Sequence, residues 1–280
     1  MLRGHRKNCK EMSSTPALTV GYWAIRGLAA PLRMMALYEQ TPCMCKMYEC
    51  RELSDGSFDR SVWLADAKPT LKAQNPLMNL PYIIDTDADG NTVTVTQSNA
   101  CMLYMGRKFG MLGDSPGEQS FCEQLLCEIM DLRNQMVGFA YSPRGSSAEE
   151  SVKFFSSASV ILDKLEAVRG GIAQRSAGPF FVGTRASAPD FHAWEMLDQL
   201  AVVAKVHSLP NPVAAFPLLS AFHRDFAALP GNAKYLASPL HLALPMNNPS
   251  AKVGAVPVGQ GAGAWVPGQD FSWAGLSGTY

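Results

Sequence analysis

The first ordered pattern in the chain is a short apolar run, LTVGYW from Leu18 to Trp23, which predicts a strand. Beyond it the period changes. Leu28, Leu32, Met35 and Ala36 recur at helical spacing within 28–40, with Pro31 in the first turn, where its missing N–H is harmless. CMCKMYEC (43–50) alternates weakly as a second strand, LPYIID (80–85) predicts a third and NTVTVTQS (91–98) a fourth. The DADGN between the last two holds the Asp and Gly of a hairpin turn, and a helix is expected from Asn99 to about Phe109. After a Gly- and Pro-rich joint, GMLGDSPGEQ (110–119), every signal is helical: 118–141, 148–168, 189–205 and 216–228. SAPD (187–190) forms a Ser-x-x-acid start for the third of these helices.

The order β-α-β-(α)-β-β-α is the thioredoxin-like arrangement, so the expected fold class is α/β plus all-α. The expected organisation is a basic disordered extension at 1–16, a thioredoxin-like domain at 17–110, a linker at 111–118, a helical domain at 119–244 and a Gly/Pro-rich tail at 245–280. That tail lacks a period and is expected to be extended, with its aromatics available to dock on the body. Pro81 opens the third strand, where a cis peptide would turn the preceding backbone outward as a binding surface.

Charge narrows the partners. Lys plus Arg and Asp plus Glu are 24 each, so the formal net charge is zero and nothing attracts a nucleic acid. No run approaches a membrane span, and MLRGHRKNCKEMSSTP lacks the apolar segment of a secretory signal. Seven cysteines, an odd and scattered count, fit free thiols in a reducing compartment, and a cytoplasmic location is expected. Cys43, Cys45 and Cys50 lack a fourth ligand at zinc spacing, so no metal is expected.

Thioredoxin-like domains commonly work through a thiol at the start of the first helix, but no Cys, Ser or Thr lies between Gly21 and Leu37. The junction offers Tyr22 instead, whose phenol can donate a hydrogen bond to a thiolate carried by a bound substrate. Anchors for the carboxylate ends of such a substrate exist at Gln97 and Ser98, which open a helix, and at the NLP edge of 79–81. Trp63 and Lys68 add an indole N–H and an ammonium. Each has a plainer reading: Tyr22 packed, QSN a good helix start, Trp63 a core aromatic, Lys68 a solvated charge.

Taken in order, these motifs resemble the cytosolic glutathione transferases, the mu class most closely. GYWAIRGLAAPLR is similar to that class's GYWDIRGLAHAIR. SFDRSVWL, NLPYIID, TQSNACMLYMGRK and GPFFVGTRASAPDF resemble further family segments, and the match spans about 18–243. The resemblance implies conjugation of reduced glutathione, a co-substrate rather than a cofactor, to apolar electrophiles in detoxification. By position Tyr22 would stabilise the thiolate. Trp23, Leu28, Trp63, Lys68, Asn79, Leu80, Pro81, Gln97 and Ser98 would hold the tripeptide. Asp131 would reach glutathione in the other subunit of a homodimer, and Ile25, Met130 and Tyr141 would face the electrophile. A glutathione-dependent isomerase of the prostaglandin-synthase kind and a non-catalytic binding homologue are the alternatives. The chain departs from the family pattern at Ala24, at Ala67 beside Lys68 and at Leu77, where the family has an aspartate, a lysine and an interface aromatic.

Overall fold

The computed structural model describes residues 17–173, 178–259 and 269–273, so the basic extension expected at 1–16 lies outside the described residues. The first apolar run forms β1 (Leu18–Trp23), and a short 3₁₀ turn, Gly27–Ala29, leads into α1 (Ala30–Tyr38) with Pro31 in its first turn. The chain returns as β2 (Cys43–Tyr48), which pairs parallel to β1, so α1 is the crossover of a β-α-β unit. A two-stranded ribbon, β3 (Arg51–Glu52) with β4 (Phe58–Asp59), and a π-helical turn at Val62–Ala67 precede α2 (Lys68–Lys72).

The predicted hairpin is β5 (Tyr82–Thr86) and β6 (Thr92–Thr96), with β5 antiparallel to β1. Gly21 is required inside β1 because the Tyr82 ring lies across it. A Cβ there would sit 2.1 Å from the ring. The Leu80–Pro81 peptide is cis, as the position of Pro81 suggested. α3 (Ser98–Phe109) closes this part and ends at Gly110 in the left-handed conformation.

The remainder is helical. α4 (Pro116–Ala140) is capped reciprocally by Ser115 and Glu118, so it starts inside the segment expected to be linker. α5 (Ala148–Ala173) runs a turn beyond its predicted end. α6 (Ala188–Val206) begins at the capping box foreseen at SAPD, and Asp190 also accepts from the Phe181 N–H at 2.6 Å. α6 is nearly buried all round and packs against α1 and α4, the seam between the two halves. α7 (Pro217–Ala227) follows, then two short helices that the periodicity did not show, α8 (Pro230–Ala237) and α9 (Pro239–Leu242).

Two of the tail's aromatics, Phe271 and Trp273, dock on the body as expected, with Trp273 in the core, while the stretch before them is more ordered than its composition suggested. Residues 244–259 pack on the body through backbone bonds: Arg26 N–H to the Pro245 carbonyl at 2.8 Å, Gly27 N–H to Met246 at 3.2 Å and Lys252 N–H to Ala140 at 2.8 Å. Farther on, β7 (Phe271–Trp273) adds an antiparallel strand to β2, giving the sheet order β6-β5-β1-β2-β7. Asp270 fixes that strand by accepting from the Met47 N–H at 3.0 Å and from Lys46 at 2.6 Å. Leu244, Met246, Val253 and Trp273 are buried here, but their irregular spacing among Gly, Pro and Asn gave no period.

Candidate functional site

Tyr22 closes β1 with its ring 5% exposed, and its hydroxyl lies over the turn that starts α1. Two local features put it there. Gly27 has φ +41°, and a Cβ on it would stand 2.6 Å from the Tyr22 ring, so only glycine lets the turn approach the phenol. Beneath, the fully buried Arg33 donates to the carbonyls of Ile25 at 2.7 Å and Trp23 at 3.3 Å, pinning the backbone on either side of Ala24. Burial pushes the Tyr22 phenol above its ordinary pKa, while Arg133, the Leu28 backbone and Arg33 pull against it. The net effect keeps the phenol protonated, so it is a hydrogen-bond donor.

The cleft beside Tyr22 has a volume of about 210 Å³. Trp23, Ile25 and Gly27 line it from the sheet side, Arg133, Val137 and Tyr141 from α4, and His192, Met196 and Gln199 from α6. Asn247 and Asn248 close it from the tail, where the Asn248 N–H donates to the Tyr141 hydroxyl at 2.8 Å. Of the residues expected at the electrophile, Ile25 and Tyr141 stand here. Met130 lies one turn earlier on α4, and Arg133 and Val137 face the cleft in its place. A larger cavity of about 640 Å³ lies between α6 and residues 252–258, without Tyr22 in its wall.

Apart from Trp23 and Leu28, the residues expected to hold a tripeptide fall in two linked pairs of segments, Asn79–Pro81 with the start of α3, and Trp63 with Lys68. Asn79 and Leu80 precede the cis Pro81, outside the ladder, which begins at Tyr82 opposite Gly21. The Thr96 hydroxyl donates to the Asn79 carbonyl at 2.8 Å and accepts from the Asn79 N–H at 3.1 Å. It thereby ties this loop to Gln97, which has a positive φ of 73° as the residue before α3. Gln97 is exposed and Ser98 is the first residue of α3, so free N–H groups of that helix end stand beside both. Trp63 is 1% exposed, stacked on Tyr82 at 6.1 Å and against Tyr48 at 5.0 Å, in a small second core with Met78. The ring is thus packed as a core aromatic. Lys68 lies 5.9 Å over it, half-buried, so the ammonium is positioned by the indole rather than solvated freely. Asp131 is exposed on α4, and Leu77 is 73% exposed.

Behind the cleft, Arg26 is fully buried and bridges the seam. It donates to both Glu195 oxygens, at 3.1 and 2.9 Å, and to Asp198. Glu195 is held in turn by Gln199 at 2.7 Å. Among the described residues no group of three His, Cys, Asp or Glu side chains could hold a metal ion. No helix there is long and apolar enough to cross a membrane.

Sequence reasoning missed Arg133, Val137, His192, Met196, Gln199, Asn247 and Asn248. A signal existed for the helical ones: Arg133, Val137 and Tyr141 recur every four residues, and His192, Met196 and Gln199 share a face of α6. Nothing marked the two asparagines.

Known proteins agree with this architecture. The family model "Glutathione S-transferase, C-terminal domain" matches residues 130–239. The chain is 34% identical over 251 residues to Glutathione S-transferase Mu 3 of Homo sapiens, covering 88% of this chain and 100% of that protein. It is 35% identical over 247 residues to Glutathione S-transferase Mu 5 of Rattus norvegicus, covering 87% and 98%. In structure it is similar to the glutathione S-transferase Blo t 8, with a TM-score of 0.64 and 24% identity over 84% of this chain and 99% of the other. The sheet with its buried tyrosine, the helical domain and this extent of likeness agree, and the chain belongs to the glutathione S-transferase family.

Proposed function

We propose that this chain is a working glutathione transferase that binds reduced glutathione along Trp23, Leu28, Asn79, Leu80, Pro81, Gln97 and Ser98. Lys68 would meet one of its carboxylates, with Trp63 holding that lysine from below. The observation that carries the reading is the buried, protonated Tyr22 phenol at the floor of the cleft, in a helix-start turn that contains no thiol of its own. A donor in that place favours the thiolate of a bound substrate. Lowering a thiol pKa by about two units takes roughly 2.7 kcal/mol, which is within reach of one hydrogen bond to a charged group. The Arg133 guanidinium adds to the same field.

The thiolate would attack an electrophile in the space between Tyr22 and Tyr141, forming a carbon–sulfur bond without a covalent enzyme intermediate. The working unit would be a cytoplasmic homodimer, in which Asp131 approaches glutathione bound to the other subunit. Leu77, Val62 and Leu64, all exposed, would supply the apolar contact that an aromatic key makes in the family pattern. Glutathione conjugation to an activated aryl halide tests the reading. Turnover in the wild type and a loss of one to two orders of magnitude in Tyr22→Phe is the expected result, taking about 1.4 kcal/mol per tenfold. Glutathione binding without turnover in the wild type would leave only a carrier.

A further inference from the structure

Two thiols of the first domain take no part in the site above. Cys43 and Cys45 alternate along β2, so both side chains point to the same face of the sheet. Both are fully buried and unbridged. The Cys43 thiol donates to the Cys45 sulfur, and Arg33 donates to Cys45 as well. Arg33 is itself fully buried, and its other partners are the carbonyls of Ile25 and Trp23 and the Met47 sulfur at 3.3 Å. None of these is a carboxylate. A buried guanidinium calls for an anion, and the Cys45 sulfur is the group placed to become one. The Cys43 hydrogen bond, with Arg33 behind it, holds Cys45 below the usual thiol range against burial, while the same bond and burial push Cys43 above it. One negative sulfur thus has a protonated thiol and a cation in contact with it, the arrangement of an attacking and a resolving thiol. The cover is β7. Cys43 lies opposite Trp273 and Cys45 opposite Phe271, and opposed residues of an antiparallel pair share a face, so two aromatic rings flank the thiols at the sheet edge. β7 has only three residues, pinned by the Asp270 bonds to Met47 and Lys46. An edge strand that short opens locally far more often than the domain unfolds.

We infer that Cys43 and Cys45 form a dithiol site for hydroperoxides, with Cys45 the attacking sulfur, Cys43 the resolving one, and β7 a cover that lifts to admit the oxidant. In the first step the Cys45 thiolate attacks one peroxide oxygen and the O–O bond breaks. Cys45 becomes a sulfenic acid, and the departing hydroxide takes a solvent proton and leaves as water. The Cys43 sulfur then attacks the Cys45 sulfur. Its proton leaves with the displaced hydroxide as a second water, and a disulfide remains. The two sulfurs together give up two electrons, which reduce the peroxide. Two molecules of a small thiol such as glutathione restore the pair by exchange and leave as their own disulfide. The bridge has a structural consequence. Two residues of strand put the Cα atoms about 6.6 Å apart, close to the upper limit of about 6.8 Å for a disulfide. Bridging therefore shortens β2 locally, and it removes the negative charge beside Arg33. The three-residue β7 is the weaker neighbour of β2 and yields first, so oxidation releases the tail strand from the sheet.

The test treats the full chain with hydrogen peroxide and follows each cysteine by peptide mass spectrometry. The peptide carrying Cys43 and Cys45 should lose two hydrogens and regain them with glutathione. Cys101 and Cys122 are internal controls, since burial pushes both thiols up to about 12. The dithiol should react at least about tenfold faster than either. Cys43→Ser keeps a hydroxyl donor to Cys45 but cannot resolve, so a sulfenic acid should accumulate on Cys45 and be trapped by dimedone. Cys45→Ser should slow oxidation of the remaining Cys43 by about tenfold or more. Asp270→Ala should speed bridging about 2- to 10-fold, the worth of one side-chain hydrogen bond. Amide hydrogen exchange at 271–273 should rise on oxidation of the wild type and stay unchanged in either serine variant. Oxidation of the pair no faster than Cys101 and Cys122 would overturn the inference. So would a sulfenic acid trapped on Cys43 in the wild type, or an oxidised pair with 271–273 still protected. Where a serine variant does not fold, the wild-type comparison with Cys101 and Cys122 and the exchange at 271–273 decide on their own.

Discussion

Arg26 is the side chain whose loss should be felt most widely. It is fully buried, reaches from the turn after β1 to α6, and neutralises Glu195 and Asp198 together. Arg26→Met keeps the stem of the side chain and leaves both carboxylates at the seam without their cation. Burial opposes ionisation of Asp198, yet Arg26 and His223 outweigh it and hold that carboxyl below its ordinary range. Burial dominates at Glu195, which sits above its ordinary range even with Arg26 present. Breaking a buried pair from one side costs about 3–5 kcal/mol, because the remaining charge is stranded. At roughly 2–4 °C per kcal/mol for a chain of this size, Tm should fall by about 6–20 °C. The pH dependence gives a second reading. A carboxyl whose folded pKa is depressed stabilises above its unfolded pKa and loses that contribution as the pH falls through the folded value. The wild type therefore loses the Asp198 contribution on acidification. The variant has no such contribution, and its two carboxylates are relieved by protonation. The gap in Tm between the two proteins should thus narrow from pH 7 toward pH 4. Scanning calorimetry across that range measures it. A deficit below about 1 kcal/mol at pH 7, the range of exposed pairs, would refute the assignment of this network as a buried, structurally necessary one.

Other substitutions test single features. Gly27→Ala places a Cβ against the Tyr22 ring at a φ of +41°, so thiol activation should drop while the fold survives a strain of about 1–2 kcal/mol, seen as lost kcat with small change in circular dichroism. Tyr141→Phe removes the acceptor for the Asn248 N–H, and hydrogen exchange at Asn248 and its neighbours should accelerate. Unchanged exchange would show that the backbone bonds of Arg26, Gly27 and Lys252 hold this segment without the Tyr141 hydroxyl. Asp270→Ala frees the Met47 N–H and loosens β7, so the buried thiol of Cys45, which lies opposite Phe271, should react faster with a thiol reagent. His192 has a depressed folded pKa, so its contribution to stability is complete above about pH 6.5 and falls as the pH drops toward 3, by about 1.4 kcal/mol per unit. His192→Leu should therefore flatten the acid limb of the stability curve by that slope in urea titrations.

The parts legible in the sequence are those written locally. β1 with Tyr22, the hairpin of β5 and β6, the Pro81 loop, the QSN start of α3 and the SAPD cap of α6 each carry their own period or turn residues. What stayed hidden depends on contacts between distant segments. Arg26 and Glu195 are 169 residues apart, and their pairing follows from the packing of α6 on α1, which no spacing encodes. Trp63 looked equally like a ligand group and a core ring until Tyr48 and Tyr82 were seen around it. The tail is held by backbone hydrogen bonds and by side-chain contacts with residues more than a hundred positions away, such as Asp270 with Lys46 and Asn248 with Tyr141, which no local pattern encodes. Nothing in the sequence singled out His192, and its place in the cleft wall with an unpaired Nδ1 follows only from the packing of α6.

The central claim is that the Tyr22 phenol sets the ionisation of the glutathione thiol. Ultraviolet difference titration of bound glutathione, followed through thiolate absorbance in the wild type and in Tyr22→Phe, measures this directly. The account predicts a bound thiol pKa about two units below that of free glutathione in the wild type, moving back up by most of that interval, roughly 2.7 kcal/mol, in the variant. A thiol that titrates at the same pH in both proteins would contradict it.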